Sequence, residues 1–144
     1  MGRIRRGRRW TALAPVCVLL LLGGCRDVAT EDEGGDEPAI VEPIEGSDLS
    51  RVTLTEDAAE RIRLETSIAT ERRNRVAVPE SAVWVDVHGD GWVYTSPEHL
   101  VFVRAHVVVG RYDDGVAYLD EGLAAGVAVV SVGVPQLIGS EFGI

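Results

Sequence analysis

The chain has 144 residues and a formal net charge of -9 at pH 7, with 23 acidic residues against 14 basic ones, all of them arginines. This acidic balance argues against nucleic acid as a partner, because phosphate contacts need clustered basic side chains. The two cysteines, Cys17 and Cys25, both lie near the amino terminus, so the remaining sequence offers no disulfide and no cysteine-based metal site.

The first 24 residues have the three parts of a secretory signal peptide. Five arginines within residues 3–9 precede an apolar run over residues 10–22, and two glycines follow. This order of a basic segment, a short apolar segment and small residues predicts an export signal over residues 1–24 that is removed on maturation. The run is shorter than the roughly 20 apolar residues that a membrane-spanning helix needs.

The sequence Leu-Gly-Gly-Cys at residues 22–25 resembles a bacterial lipobox. The resemblance implies that Cys25 becomes the first mature residue and carries the lipid, whereas an ordinary signal peptide followed by a stray cysteine is the alternative. Cleavage before Cys25 would leave nine arginines against 23 acids, a net charge of about -14. We therefore expect an extracytoplasmic protein that is held at a bacterial cell membrane by a lipid on Cys25.

Residues 25–49 form an acidic segment that contains glycine and proline but few large apolar side chains. Such a segment buries too little apolar surface to offset the entropy lost on ordering, so it is predicted to be a disordered spacer. Repulsion among its carboxylates favours an extended chain. An acidic tail that binds cations is the alternative, although its carboxylates have no fixed spacing.

Residues 50–75 predict two strands around one short helix. Val52 and Leu54 suggest a strand, and Thr53 or Thr55 is placed to cap a helix that ends near Arg63. Residues 64–70 then alternate between apolar and polar side chains, as in a strand, and residues 71–75 form a polar turn with three arginines.

Three alternating runs, over residues 82–87, 92–95 and 100–109, predict an antiparallel β-meander at the centre of the chain. Glycine in the break between the first two runs is typical of a hairpin. Residues 116–119 and 127–134 predict two further strands, and Pro135 is expected to end the last one. The predicted fold is therefore mainly β: a small antiparallel β-roll or barrel-like domain of about seven strands with one short helix over residues 50–138, followed by a tail over residues 139–144.

Aromatic side chains of the meander are the candidate partner contacts. If Val83, Val85 and Val87 face the core, then Trp84 faces outward, where it could pair across the hairpin with Trp92 and Tyr94. Exposed aromatic side chains on one sheet face indicate a contact surface, and Phe102 joins this set. The alternative is that a second layer covers these aromatics as ordinary core.

The sequence contains no recognisable catalytic constellation. The serines lack the Gly-x-Ser-x-Gly context of a nucleophile, and no phosphate loop or dinucleotide fingerprint occurs. His88 and His99 lie in or beside predicted turns, so a metal site near Asp86 and Asp90 is the weaker interpretation. We therefore expect a binding protein without a metal or a cofactor, and not an enzyme.

The predicted domain resembles the periplasmic adaptor subunits (membrane fusion proteins) of RND-type efflux pumps. Residues 52–70 resemble the opening of their membrane-proximal domain and residues 78–144 its closing part. The matching segments occur in the same order: Val78-Pro79, Ala82-Val83, Trp92-Val93-Tyr94, Phe102-Val103-Arg104, Val107 to Gly110, and Gly122 to Gly126 before Val129-Val130. Full adaptors carry further domains between these two parts, where this chain has only residues 71–75.

The resemblance implies a membrane-proximal domain that stands alone on a lipid tether. The expected function is that of a lipid-anchored, adaptor-like accessory protein that binds a membrane transporter of the efflux type. The alternative is a lipoprotein that binds a solute or a metal ion and delivers it at the membrane surface.

Overall fold

A curled antiparallel β-sheet forms the centre of the protein in a computed structural model, which describes residues 37–144. The predicted signal peptide, Cys25 and the predicted spacer as far as residue 36 lie outside the described residues. The ten strands, labelled in chain order, are β1 Ala39–Pro43, β2 Ser50–Leu54, β3 Glu65–Ile68, β4 Thr70–Arg72, β5 Arg75–Pro79, β6 Trp84–Val85, β7 Gly91–Glu98, β8 Val101–Asp113, β9 Val116–Glu121 and β10 Ala128–Val132. Two helices, α1 Glu56–Arg61 and α2 Val134–Phe142, and a 3₁₀ turn at Glu80–Ala82 complete the fold.

Seven strands form the main path of the sheet, in the order β3-β10-β7-β8-β9-β5-β4. The two end strands, β3 and β4, are consecutive in sequence and are separated only by Ala69. The sheet must therefore curl until its two ends meet at this residue, which produces a half-barrel. The predicted mainly β, antiparallel, barrel-like fold of about seven strands is confirmed.

The predicted meander is present as β6, β7 and β8. Trp84 of β6 lies opposite Trp92 of β7, and Trp92 lies opposite His106 of β8. Strand β8 runs for 13 residues and continues through Gly110, where its pairing with β9 shifts register. This long strand pairs with β7 and β2 in one part and with β9 in the other.

Both faces of the central sheet are buried. Consecutive residues of β7 enter different apolar clusters, with Val93 on one face of the sheet and Tyr94 on the other. The inner cluster consists of Ala69, Val78, Ala82, Val93, Val107, Ala117, Leu119 and Val129. The helix-side cluster consists of Val52, Leu54, Ala58, Tyr94, Phe102, Val130, Val134 and Leu137. Helix α2 therefore covers a sheet face that would otherwise meet solvent.

The short predicted helix is confirmed as α1. Thr55 is its N-cap residue, and the Thr55 hydroxyl accepts a hydrogen bond from the Ala58 N–H at 3.2 Å. The helix ends at Arg61, two residues before the predicted end, because Arg63 adopts a left-handed conformation with φ 52°. Of the two threonines proposed as caps, Thr55 takes that role and Thr53 lies within β2.

Two predicted boundaries of the domain are wrong. Strand β1 lies within the predicted spacer over residues 25–49, because its backbone pairs with β2 in antiparallel register and Ala39 packs on the helix-side cluster. The predicted tail over residues 139–144 belongs mostly to α2, so the domain does not end at residue 138. Pro135 lies in the first turn of α2, where a missing backbone N–H costs nothing, and so begins a helix after β10 has ended.

A two-residue turn closes the chain between β4 and β5, within the predicted polar turn over residues 71–75. Arg73 and Asn74 have φ angles of 54° and 61°, as a type I′ hairpin turn requires at both central positions. Thr70 then pairs with Ala77 and Arg72 with Arg75. None of the helices within residues 37–144 has the length and apolarity needed to cross a membrane.

Candidate functional site

A stack of aromatic rings lies between the sheet and α2. The Trp84 ring centroid lies 6.3 Å from those of Trp92 and Tyr94 with nearly parallel planes, and 6.3 Å from that of Phe142 in an edge-on arrangement. The predicted pairing of Trp84 with the aromatics of β7 is therefore present. Phe142, from α2, is a further member that the sequence analysis did not include.

The predicted orientation of β6 is wrong. Trp84 is half-buried against the helix-side cluster, whereas Val85 is 59% and Val87 96% exposed. Burial of an indole removes more apolar surface from water than burial of a valine, so the register that turns Trp84 toward α2 is favoured. Val83 alone of the three valines packs on the inner cluster.

Two of the four candidate contact residues are core residues. Tyr94 is 0% and Phe102 1% exposed, so neither side chain is accessible to a partner, which corrects their assignment as contacts. The covering layer that the sequence analysis gave as the alternative is present, and α2 and α1 supply it. Trp84 and Trp92 are half-buried and keep part of their surface open.

A buried ion pair fastens α2 to the sheet. Arg104 Nε donates to Glu141 Oε1 at 2.9 Å, and the Tyr94 hydroxyl donates to Glu141 Oε2 at 2.6 Å. A second nitrogen of Arg104 donates to the Asp48 carbonyl at 2.6 Å, and its guanidinium lies 4.5 Å from the Trp92 ring centroid. Burial and the hydrogen bond to the Glu141 carboxylate raise the pKa of the Tyr94 phenol. Both oxygens of the Glu141 carboxylate therefore accept hydrogen bonds from side chains of the sheet.

The Asp86 carboxylate organises the turn between β6 and β7. It accepts hydrogen bonds from the backbone N–H groups of His88 at 2.8 Å and Asp90 at 3.0 Å, and from the Trp92 indole N–H at 3.0 Å. Loss of hydration would raise its pKa, but the hydrogen bonds from Asp90, Trp92 and His88 outweigh that effect, so the pKa of Asp86 lies below its ordinary value. Asp86 is therefore ionised at neutral pH.

An open groove of about 560 Å³ lies beside the aromatic stack. Val85 and Val87 form one wall, and Ile138 and Phe142, which is 48% exposed, form the other. The remaining lining comes from one indole ring and three polar side chains: Trp84, Asp86, His88 and Arg104. This groove is the largest of the described cavities and combines an apolar surface with a fixed carboxylate.

The described residues contain no cluster of three or more His, Cys, Asp or Glu side chains that could hold a metal ion. His99 Nε2 lies 2.9 Å from Glu56 Oε1 at the surface, and His106 Nε2 lies 4.0 Å from Asp90 Oδ1. These are exposed pairs of single side chains. The indole N–H of Trp84 is buried and has no hydrogen-bond acceptor within residues 37–144, which carries an energetic cost.

Comparisons with models of known protein families, with curated proteins and with solved structures found no match for this chain. A function is therefore proposed from the sequence resemblance and from the geometry of residues 37–144.

Proposed function

We propose that the protein is a lipid-anchored, extracytoplasmic accessory protein that resembles an efflux adaptor, binds a membrane transporter of the efflux type and catalyses no reaction. The observation that carries the proposal is the closure of β4 onto β5 at Arg73 and Asn74. The segments before and after this turn resemble the two halves of an adaptor membrane-proximal domain. Here the two segments are joined by a hairpin without intervening domains, which supports the proposal of a single adaptor-like domain.

The groove side is the surface that this proposal assigns to the transporter. Val85, Val87 and Phe142 are exposed apolar side chains that surround the half-buried Trp84. Contiguous exposed apolar surface marks protein contacts more often than isolated apolar residues do. Of the four residues first selected as contacts, Trp84 and Trp92 keep this role in the proposal, while Tyr94 and Phe102 support them from the core.

A photo-crosslinking amino acid at Val87 is expected to capture a transporter subunit in intact cells, because this side chain is 96% exposed at the groove. The matched control carries the same amino acid at Ile68, which is 57% exposed on the edge strand β3, outside the groove. Mass spectrometry of the crosslinked products identifies the captured protein. Recovery of no transporter subunit from Val87, or equal recovery from both positions, contradicts the proposal.

The lipid anchor is tested by Cys25→Ala, which is expected to abolish labelling of the protein by a fatty-acid probe and to leave the precursor uncleaved. Thioether attachment of the lipid requires the sulfur of that cysteine. Cys17→Ala is the matched control and keeps normal labelling, because Cys17 lies within the predicted apolar segment of the signal. Persistent labelling of the Cys25→Ala protein would refute the anchor at this residue.

A further inference from the structure

We infer that the groove between β6 and α2 binds a small organic cation with an apolar body. This inference does not rest on transporter binding, since it concerns the isolated protein and a small ligand.

The size and the walls of the groove fit the apolar body of such a ligand. Its volume of about 560 Å³ lies within the range of about 300–1,000 Å³ that is usual for ligand sites. Val85, Val87 and Phe142 remain exposed there, and no element within residues 37–144 covers them. Burial of this surface by a ligand would contribute favourable free energy in proportion to the apolar area covered.

The charge at the groove is negative. Arg104 is the positive group of the lining, but its charge is balanced by Glu141, which contacts it at 2.9 Å and is itself only 2% exposed. The Asp86 carboxylate has no cationic partner, because its three hydrogen bonds come from two backbone N–H groups and an indole N–H. Asp86 is therefore the uncompensated charge of the lining when His88 is neutral.

Asp86 is also held in one position. Hydrogen bonds from His88 and Asp90 fix one carboxylate oxygen, and the bond from Trp92 Nε1 fixes the other. A ligand cation would meet a preorganised carboxylate, so little conformational entropy is lost on binding. The Trp84 and Phe142 rings line the same groove and add apolar surface beside this carboxylate.

The net charge of the described residues also favours a cationic ligand. Residues 37–144 carry 18 acidic side chains and eight arginines. A net negative domain raises the local concentration of cations and lowers that of anions. An apolar anion of equal size is thus disfavoured at this groove, which separates the inference from nonspecific apolar binding.

Two ions of nearly equal shape and opposite charge test the inference. Calorimetric titration of the full chain in detergent at pH 8, with the heat of the detergent alone subtracted, is expected to show saturable binding of tetraphenylphosphonium. Tetraphenylborate is expected to bind at least about tenfold more weakly, since the interaction with one carboxylate changes sign.

Asp86→Asn is expected to bring the two affinities within about twofold of each other. The asparagine carbonyl oxygen can still accept the backbone hydrogen bonds from His88 and Asp90, and only the hydrogen bond from the Trp92 indole is lost. Asp114→Asn is the control at a carboxylate outside the groove and leaves both affinities unchanged. Val87→Ser leaves the charge of the groove unchanged and is expected to weaken the binding of both ions. It tests the apolar wall at a side chain that is 96% exposed and does not support the fold. Equal binding of the two ions, no saturable binding of the cation, or an unchanged preference in Asp86→Asn would overturn the inference.

Discussion

Replacement of Glu141 by Gln is expected to lower the free energy of unfolding by about 3–5 kcal/mol. The Glu141 side chain is 2% exposed and its partner Arg104 is 12% exposed, so loss of the carboxylate leaves a guanidinium buried without a counter-charge. The change also weakens the hydrogen bond from Tyr94, which joins the same carboxylate. Urea denaturation with an unchanged slope measures the loss through a shift of the midpoint.

Asp113→Asn is the matched control for the Glu141 prediction. It removes ion pairs with Arg73 at 3.3 Å and Arg111 at 3.1 Å, but all three side chains are at least 45% exposed, so a loss below about 1 kcal/mol is expected. Addition of Arg104→Met to Glu141→Gln is expected to recover part of the loss, because the unpaired charge is removed. A Glu141→Gln protein that is no less stable than Asp113→Asn would show that the pair does not hold α2 on the sheet.

Gly122→Ala is expected to cost at least about 3 kcal/mol of stability, because it combines backbone strain with a clash against the backbone of β8. Gly122 has φ 107°, and a Cβ atom there would lie 2.8 Å from Val107 Cα and closer still to the carbonyl oxygen of His106. Both atoms belong to the backbone of β8, so no side-chain rotation relieves the contact. Thermal unfolding followed by circular dichroism measures the effect.

Gly126→Ala separates the effect of backbone strain from that of the clash with β8. Gly126 has φ 92°, but a Cβ atom there would meet nothing within 4 Å, so the strain alone remains, at about 1–2 kcal/mol. The difference between the two variants reports the contact of Gly122 with β8. Equal losses of stability at the two positions would indicate that Gly122 does not lie close to the β8 backbone.

The regular alternation of side chains made the meander predictable. Val103 to Val107 alternate between apolar and polar side chains, and β8 contains them within a longer strand. The short helix was predictable because Thr55 is a good N-cap residue and precedes two acids and two alanines. These features depend on neighbours in sequence, so the sequence alone contains them.

Features that depend on distant residues were not predictable. The orientation of Trp84 is decided by α2, whose Val134 and Leu137 belong to the helix-side cluster. Strand β1 is apolar in part, but four of its five residues are exposed, and it forms because β2 offers a pairing edge. Arg104 and Glu141 lie 37 residues apart, and neither side chain alone indicates an ion pair. A weak indication of α2 was the spacing of Leu137, Ile138 and Glu141, which fits one helix face.

The meeting of both sheet ends at Ala69 has a consequence for the order in which the chain can fold. Strand β3 pairs with β10, and Ser67 and Ser131 in this pair are 64 residues apart in sequence. During synthesis from the amino terminus, β3 has no partner until nearly the whole chain has emerged, and Tyr94 has no cover until α2 follows. The high contact order also slows folding after release. If residues 1–24 act as an export signal, the topology itself keeps the polypeptide unfolded while its amino terminus is being recognised.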